Sequence, residues 1–430
     1  MMDRYSEGFK RYFSNTSWLM AGHVVRMVAG LLVWVWLARY LGPAEFGLLN
    51  YAMAFVGLFA ALASVGVDGV LVRELVKAPE ARERLLGSAM ALKLIGTLLM
   101  WLVLLIVVGL AGQDDSTIML VGVIAASYLF QALNVIDTVF QAQVLSRYVA
   151  KAQIVQVLLS SLIKIGLILG EAPLFWFAIM SVVDAALLAL MLLYIYRARQ
   201  GAIGLWRIDV PLMRRLLRDS WPLILSGMAV SAYMRIDQVM INQQIDAEAV
   251  GYYAVAIRLC EAWYFIPVAI TASLFPAIMQ AREAGESLYF ARLQRLHNLM
   301  VLISLLIALP LCLLADEMIA MLYGEAYASA APVLAIYAWV VLFVSFGMAS
   351  DKYLLAENLP WLSFWRTFTG LLVNVVLNYL LIGAYGLVGA AIATLISYSV
   401  AAYIFDLLDH RCRRIWMIKS RALLGFWRLR

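Results

Sequence analysis

Unbroken runs of about twenty apolar residues recur along this 430-residue chain, and nothing else in the sequence limits its fold so strongly. Lipid offers a backbone no hydrogen-bond partner, so a crossing segment must bond to itself, as a helix of ~20 residues does. Twelve such runs are read: Thr16–Ala38, Ala44–Val67, Ser88–Ala111, Thr117–Thr138, Ala152–Gly170, Leu174–Tyr196, Ser220–Gln243, Val250–Phe275, Leu293–Leu314, Ala330–Ser350, Trp361–Ile382 and Leu387–Leu408. The fold class predicted is an all-α integral membrane protein with 12 transmembrane helices. The first run is too long, and too poorly followed by small residues, for a cleaved signal peptide. With 65% apolar and 14% charged residues, the composition argues against a soluble domain. Three scattered cysteines and three histidines argue against a disulfide framework or a metal centre, so no resident cofactor is expected.

Lysine and arginine orient the set. Twenty-six of them fall on one side of the twelve segments, Arg4, Lys10 and Arg11 first among them, and Arg39 alone on the other. Both termini are therefore expected in the cytoplasm. The arginine-rich stretch 197–219 divides the chain into two six-helix bundles, residues 16–196 and 220–408, flanked by an N-terminal segment 1–15 and a basic tail 409–430. The net charge of +6 then belongs to loops facing an anionic leaflet and gives no reason to invoke nucleic acid. Leu212, Leu216 and Leu217 beside Arg214, Arg215 and Arg218, and Trp416, Phe426 and Trp427 in the tail, point to interfacial helices. The halves share a motif: Pro43-Ala44-Glu45-Phe46-Gly47 with Tyr51-Ala52, and Ala247-Glu248-Ala249-Val250-Gly251 with Tyr252-Tyr253-Ala254. Six spans per half make this a parallel repeat about an axis along the membrane normal, one way to build a carrier.

Six basic residues remain inside spans: Arg26, Lys93, Lys164, Arg235, Arg258 and Arg366. The acids well inside are Asp184, Asp237 and Glu261, with Asp68 and Asp137 near span ends. An intramembrane charge costs at least ~2.5–3.5 kcal/mol, so each needs a partner or a watery cavity. Polar residues at helical spacing form four stripes: Ser127, Gln131, Asn134, Thr138 and Gln141; Gln153, Gln156, Ser160 and Lys164; Ser231, Arg235, Gln238 and Asn242; Arg366, Gly370, Asn374 and Asn378. They read as walls of a hydrated vestibule whose cations are Arg26, Arg235, Lys164, Arg258 and Arg366. Plainer readings stand beside this one. Arg258 and Glu261 can neutralise each other, Lys164 and Asp184 can pair, and Lys93 and Arg366 can snorkel. Arg26 is deep in its helix, which holds no acid, with His23 one turn earlier. Arg235 and Asp237 lie about 200° apart around one helix, so Arg235 is assigned to the cavity. Asp237 is then a partner for a neighbouring helix or a titrating group. Asp237, Glu261 and Asp184 are candidates for coupling to H+ or Na+.

Several segments are similar to bacterial polysaccharide flippases of the Wzx type, in the multidrug/oligosaccharidyl-lipid/polysaccharide exporter superfamily. They are Ala38-Arg39-Tyr40-Leu41-Gly42-Pro43-Ala44-Glu45-Phe46-Gly47, Val67-Asp68-Gly69-Val70-Leu71-Val72-Arg73-Glu74-Leu75, Arg235-Ile236-Asp237-Gln238, and Leu322-Tyr323-Gly324-Glu325-Ala326-Tyr327 running into Ala331-Pro332-Val333-Leu334. The resemblance implies a MATE-like fold in the bacterial inner membrane. It also implies translocation of an undecaprenyl-diphosphate-linked oligosaccharide by alternating access, for O-antigen or a similar surface polysaccharide. Other polysaccharide-assembly membrane proteins are expected partners. Arginine suits such a substrate because its planar fork donates two parallel hydrogen bonds to phosphate. A drug or cation exporter of the same superfamily would want acids, and here cations outnumber them in the spans. A membrane glycosyltransferase or polymerase would need a larger outer loop than Ala315 to Ser329, and the chain holds no DxD pair. None of the seven lysines follows a glycine, so there is no GxxxxGK phosphate loop.

Overall fold

Apolar helices that must satisfy their own backbone dominate the computed structural model, which describes the backbone of residues 2–112 and 114–425 and the side chains of residues 26–110, 112 and 114–425. Arg4, Lys10, Arg11, His23, Phe426, Trp427, Arg428 and Arg430 fall outside the described side chains. The described residues hold no strand. The helices are α1 (Met2–Leu58), α2 (Ala60–Ser64), α3 (Val67–Lys77), α4 (Arg82–Ala111), α5 (Asp115–Gln131) and α6 (Val135–Ala142). Next come α7 (Arg147–Leu169), α8 (Leu174–Arg199), α9 (Val210–Gln244), α10 (Ala247–Glu261), α11 (Phe265–Ala284) and α12 (Glu286–Leu313). The last are α13 (Ala315–Tyr323), α14 (Ala331–Tyr337), α15 (Val340–Ala356), α16 (Pro360–Ser399), α17 (Phe405–Leu408) and α18 (Arg413–Gly425), with a π turn at Val400–Ile404.

Among the described residues eight helical stretches are long and apolar enough to cross a membrane, or nine if Glu325–Tyr337 and Val340–Ala356 form one bent span. The number differs from the sequence-derived twelve for local reasons. Helix α1 carries the first apolar run and the larger part of the second around a bend at Gly42, and the Pro360–Leu408 stretch carries the last two around Gly386. Gly386 has φ +58° and ψ −137°, a conformation that only glycine adopts readily. Helix α9 holds the seventh run but also Arg214, Arg215, Arg218, Asp219, Arg235 and Asp237. The lipid-facing character is plain on α4, where Leu98, Leu102, Leu105 and Leu110 are all exposed. The chain is a multi-pass membrane protein. Outside the bilayer stretches, Asp114 caps α5, accepting from the Thr117 amide at 3.2 Å and its hydroxyl at 2.6 Å. The Ser116 hydroxyl, with these bonds, holds the Asp114 carboxyl below its ordinary range.

The chain forms two compact units, Met1–Tyr40 with Ala52–Ser231 and Leu41–Tyr51 with Ala232–Arg430. In the first, Val67, Leu71, Leu86, Phe140 and Tyr196 build a core. Leu216 packs into that core, while Leu217 stays exposed, so only part of the predicted interfacial leucine face is at the surface. Arg73 pairs with Asp219 at 2.8 Å and Arg215 with Glu74 at 3.1 Å, fixing the start of α9 to α3. In the second unit Leu293, Met300, Ala349 and Tyr353 pack with Ile415 and Ile418 of α18. Lys419, counted from the sequence among solvated tail charges, is instead fully buried, with its ammonium 2.5 Å from Asp406 Oδ2 and from the Ala402 carbonyl oxygen. The carboxylate that makes this burial tolerable sits thirteen residues earlier, beside the π turn.

Candidate functional site

Asp237 is the polar centre of the second unit. It is 4% exposed, and its carboxylate accepts from Asn378 Nδ2 at 2.7 Å, Thr394 Oγ1 at 2.7 Å and Tyr253 Oη at 2.9 Å. Asn378 also donates to Asn374 Oδ1 at 3.0 Å, and Asn374 to Ser397 Oγ at 3.3 Å. The bend at Gly386 explains how one helix reaches the carboxylate twice. Its first arm brings Asn374 and Asn378, one turn apart, and its second brings Thr394 and Ser397. Asn378 Oδ1 is buried without a hydrogen bond among the described residues. The cluster therefore offers one carboxylate and several neutral oxygens, a donor set suited to a proton or a monovalent hard cation. Among the described residues no group of three or more His, Cys, Asp or Glu could hold a metal ion.

The intramembrane cations separate into two kinds. Lys164 Nζ lies 2.8 Å from Asp184 Oδ2, and Gln156 bonds the same carboxylate at 3.3 Å. Arg366 is buried and lies 2.5 Å from Asp351, and Lys93 is 2.5 Å from Asp68. Each of these positive charges is met by a carboxylate: Lys164 makes the pair weighed for it from the sequence, whereas Lys93 and Arg366, expected to snorkel, are ion-paired instead, so Lys164 and Arg366 are corrected from cavity cations to ion-paired residues. Arg26 and Arg235 differ. Both are half-buried, and neither has a carboxylate at ion-pair distance among the described residues; Arg26 donates instead to the amide oxygen of Gln153. Arg258 is exposed.

That Gln153 lines a cavity of about 220 Å³ within the first unit, shared with Asp68, Asn134, Asp137, Thr138 and Gln141. Gln141 donates to Asp137 at 3.0 Å. Parts of two predicted stripes thus meet around one polar space. Other members do not. Ser160, Gln238, Asn374 and Asn378, expected on a cavity wall, are buried, because their helix faces pack against neighbours. Gln131 bonds Ser127 within its own helix at 3.3 Å. Asn242 and Glu261 are half-buried. Sequence reading missed Tyr253 and Thr394 as partners of Asp237; Tyr253 stood in the repeat motif, and Thr394 sits in a run of small residues that signals close packing.

Comparison with known proteins accords with this architecture. A family model described as polysaccharide biosynthesis protein matches residues 13–282, and the MatE model matches residues 222–380. A Haloferax volcanii protein named Probable low-salt glycan biosynthesis flippase Agl15 is 23% identical over 383 residues, covering 84% of this chain and 76% of its own. A solved structure of lipid II flippase MurJ in an inward closed conformation superposes with a TM-score of 0.73 at 14% identity, over 95% of this chain and 91% of that one. An inward-facing multidrug resistance MATE family transporter gives 0.71 at 16% identity, over 94% and 99%. The fold is therefore that of the MATE-like exporters, and the chain belongs to the polysaccharide biosynthesis protein family.

Proposed function

We propose that this protein is a flippase that carries an undecaprenyl-diphosphate-linked oligosaccharide across the bacterial inner membrane by alternating access, supplying a surface polysaccharide such as O-antigen. It is a transporter and performs no bond chemistry on its cargo. The observation that carries the reading is the pair of half-buried arginines, Arg26 and Arg235, that no described carboxylate neutralises. A guanidinium left with its charge inside a membrane protein attracts an anion, and its fork matches a phosphate oxygen pair. The name of the Haloferax volcanii relative supports a glycan cargo. Transport against a gradient needs an energy source, and we assign coupling to H+ or Na+ taken up at Asp237, whose hydroxyl neighbours Thr394 and Tyr253 suit either ion.

A second reading, export of drugs or organic cations, is favoured by the MatE match and by the buried Asp237. One experiment separates them: leaflet-resolved labelling of lipid-linked sugar in cells lacking this protein. A flippase predicts accumulation in the cytoplasmic leaflet and loss of surface glycan. Normal outer-leaflet glycolipid, with raised drug sensitivity, would reverse the assignment.

A further inference from the structure

Helices α11 and α12 run back to back around Gly285 and leave a groove of about 330 Å³ between them. Its floor is apolar, built from Leu274, Ala277, Ile278, Leu296 and Leu299. Two arginines on one face of α12, Arg292 and Arg295, complete the lining. Arg292 spends one donor on the Ala277 carbonyl oxygen at 2.7 Å, which pins its guanidinium across the groove and leaves the remaining donors uncommitted. Arg295 is exposed and makes no hydrogen bond or ion pair among the described residues. Of the other charges at this end of the two helices, Arg282 pairs with Glu357 at 3.2 Å and Arg414 pairs with Glu286.

We propose that this groove binds an anionic phospholipid of the surrounding bilayer, its phosphate held by Arg292 and Arg295 and an acyl chain laid along Leu274, Leu296 and Leu299. The order of the lining gives the orientation. From the start of α12 the arginines come first, and Leu296 and Leu299 follow toward its middle, while on the antiparallel α11 Leu274 lies farther from the turn than Ile278. A lipid lying in a leaflet has the same sequence, charge at the surface and hydrocarbon within. Basic pockets between spanning helices recognise lipid head groups in this way. The lining offers no amide or hydroxyl side chain to receive sugars, so a diacyl lipid fits it better than a glycolipid.

Native mass spectrometry of the full-length protein in detergent, supplied with phosphatidylglycerol or phosphatidylcholine, tests this. The wild type should retain phosphatidylglycerol roughly tenfold or more over phosphatidylcholine, since two arginine contacts are at stake. Arg292→Gln with Arg295→Gln should abolish that preference. Leu299→Trp, which fills the apolar end and keeps both arginines, should also lose the adduct. Equal retention of the two lipids by the wild type, or an unchanged preference in both variants, would overturn the proposal. Displacement of phosphatidylglycerol by an equimolar polyprenyl diphosphate would overturn it in favour of a substrate site.

Discussion

Gly47 and Gly251 hold the two copies of the repeat motif in reciprocal contact. A methyl group on Gly47 would sit 1.7 Å from the Ala247 carbonyl oxygen, and one on Gly251 would sit 2.2 Å from that of Pro43. Pro43 matches Ala247 in the repeat, and Gly47 matches Gly251, so each copy places its glycine against the other's first residue. That is the pattern of an isologous contact about a local two-fold axis. It also explains why Leu41–Tyr51, from the first half of the sequence, belongs with the second unit.

Gly47→Ala and Gly251→Ala should therefore each destabilise the protein, since overpacking against backbone costs ~1–3 kcal/mol or more. Thermal unfolding in detergent should show a lowered Tm for both. Gly30→Ala, where no atom lies within 4 Å of the added methyl, should leave Tm unchanged or slightly raised.

Asp237→Asn removes the charge at the centre of the second unit while nearly preserving shape. An ion that binds only the folded state raises Tm with concentration. The wild type should gain stability on titration with NaCl or on acidification, whichever ion it uses, and the variant should give a flat response. Equal responses in the two proteins would remove Asp237 from the coupling role.

Lys164 and Asp184 should behave as a structural pair. Lys164→Met or Asp184→Leu alone leaves a charge in the membrane without its partner, whereas the double variant leaves none. Export and protein level should fall in both single variants and recover in the double. A double variant as defective as Lys164→Met alone would make Lys164 a substrate ligand.

The pair Lys419 and Asp406 should fasten α18 to the second unit. Removing one partner of a buried ion pair costs ~3–5 kcal/mol, so Lys419→Met should lower Tm sharply and Lys419→Met with Asp406→Leu should restore much of it. Limited proteolysis with detection of cleavage near Arg413 would report whether α18 has come loose.

How legible these features were depended on range. The apolar runs, the repeat motif and the exclusion of an ATP site rest on neighbours in sequence, and the helical architecture follows from them. The breaks at Gly42 and Gly386 were legible as interruptions between apolar runs, but whether each is a loop or a bend within one continuous helix depends on backbone geometry that the run lengths do not carry. The pairing of Lys164 with Asp184 was readable as two charges at similar depth on consecutive helices. Arg366 with Asp351 was not, because Asp351 stood at the edge of a span and its pairing depends on how α15 meets α16. Periodicity gave Asn374 and Asn378 a common face but could not say whether water or Asp237 lay in front of it.

The most direct measurement is surface glycan in cells whose only copy carries Arg26→Ala or Arg235→Ala, read beside protein level in the membrane. Export should be lost in both variants at unchanged protein level, and lysine at each position should restore it in part, because charge survives while the bidentate fork does not. Full export with either alanine variant would contradict the claim that these guanidinium groups receive the anionic cargo.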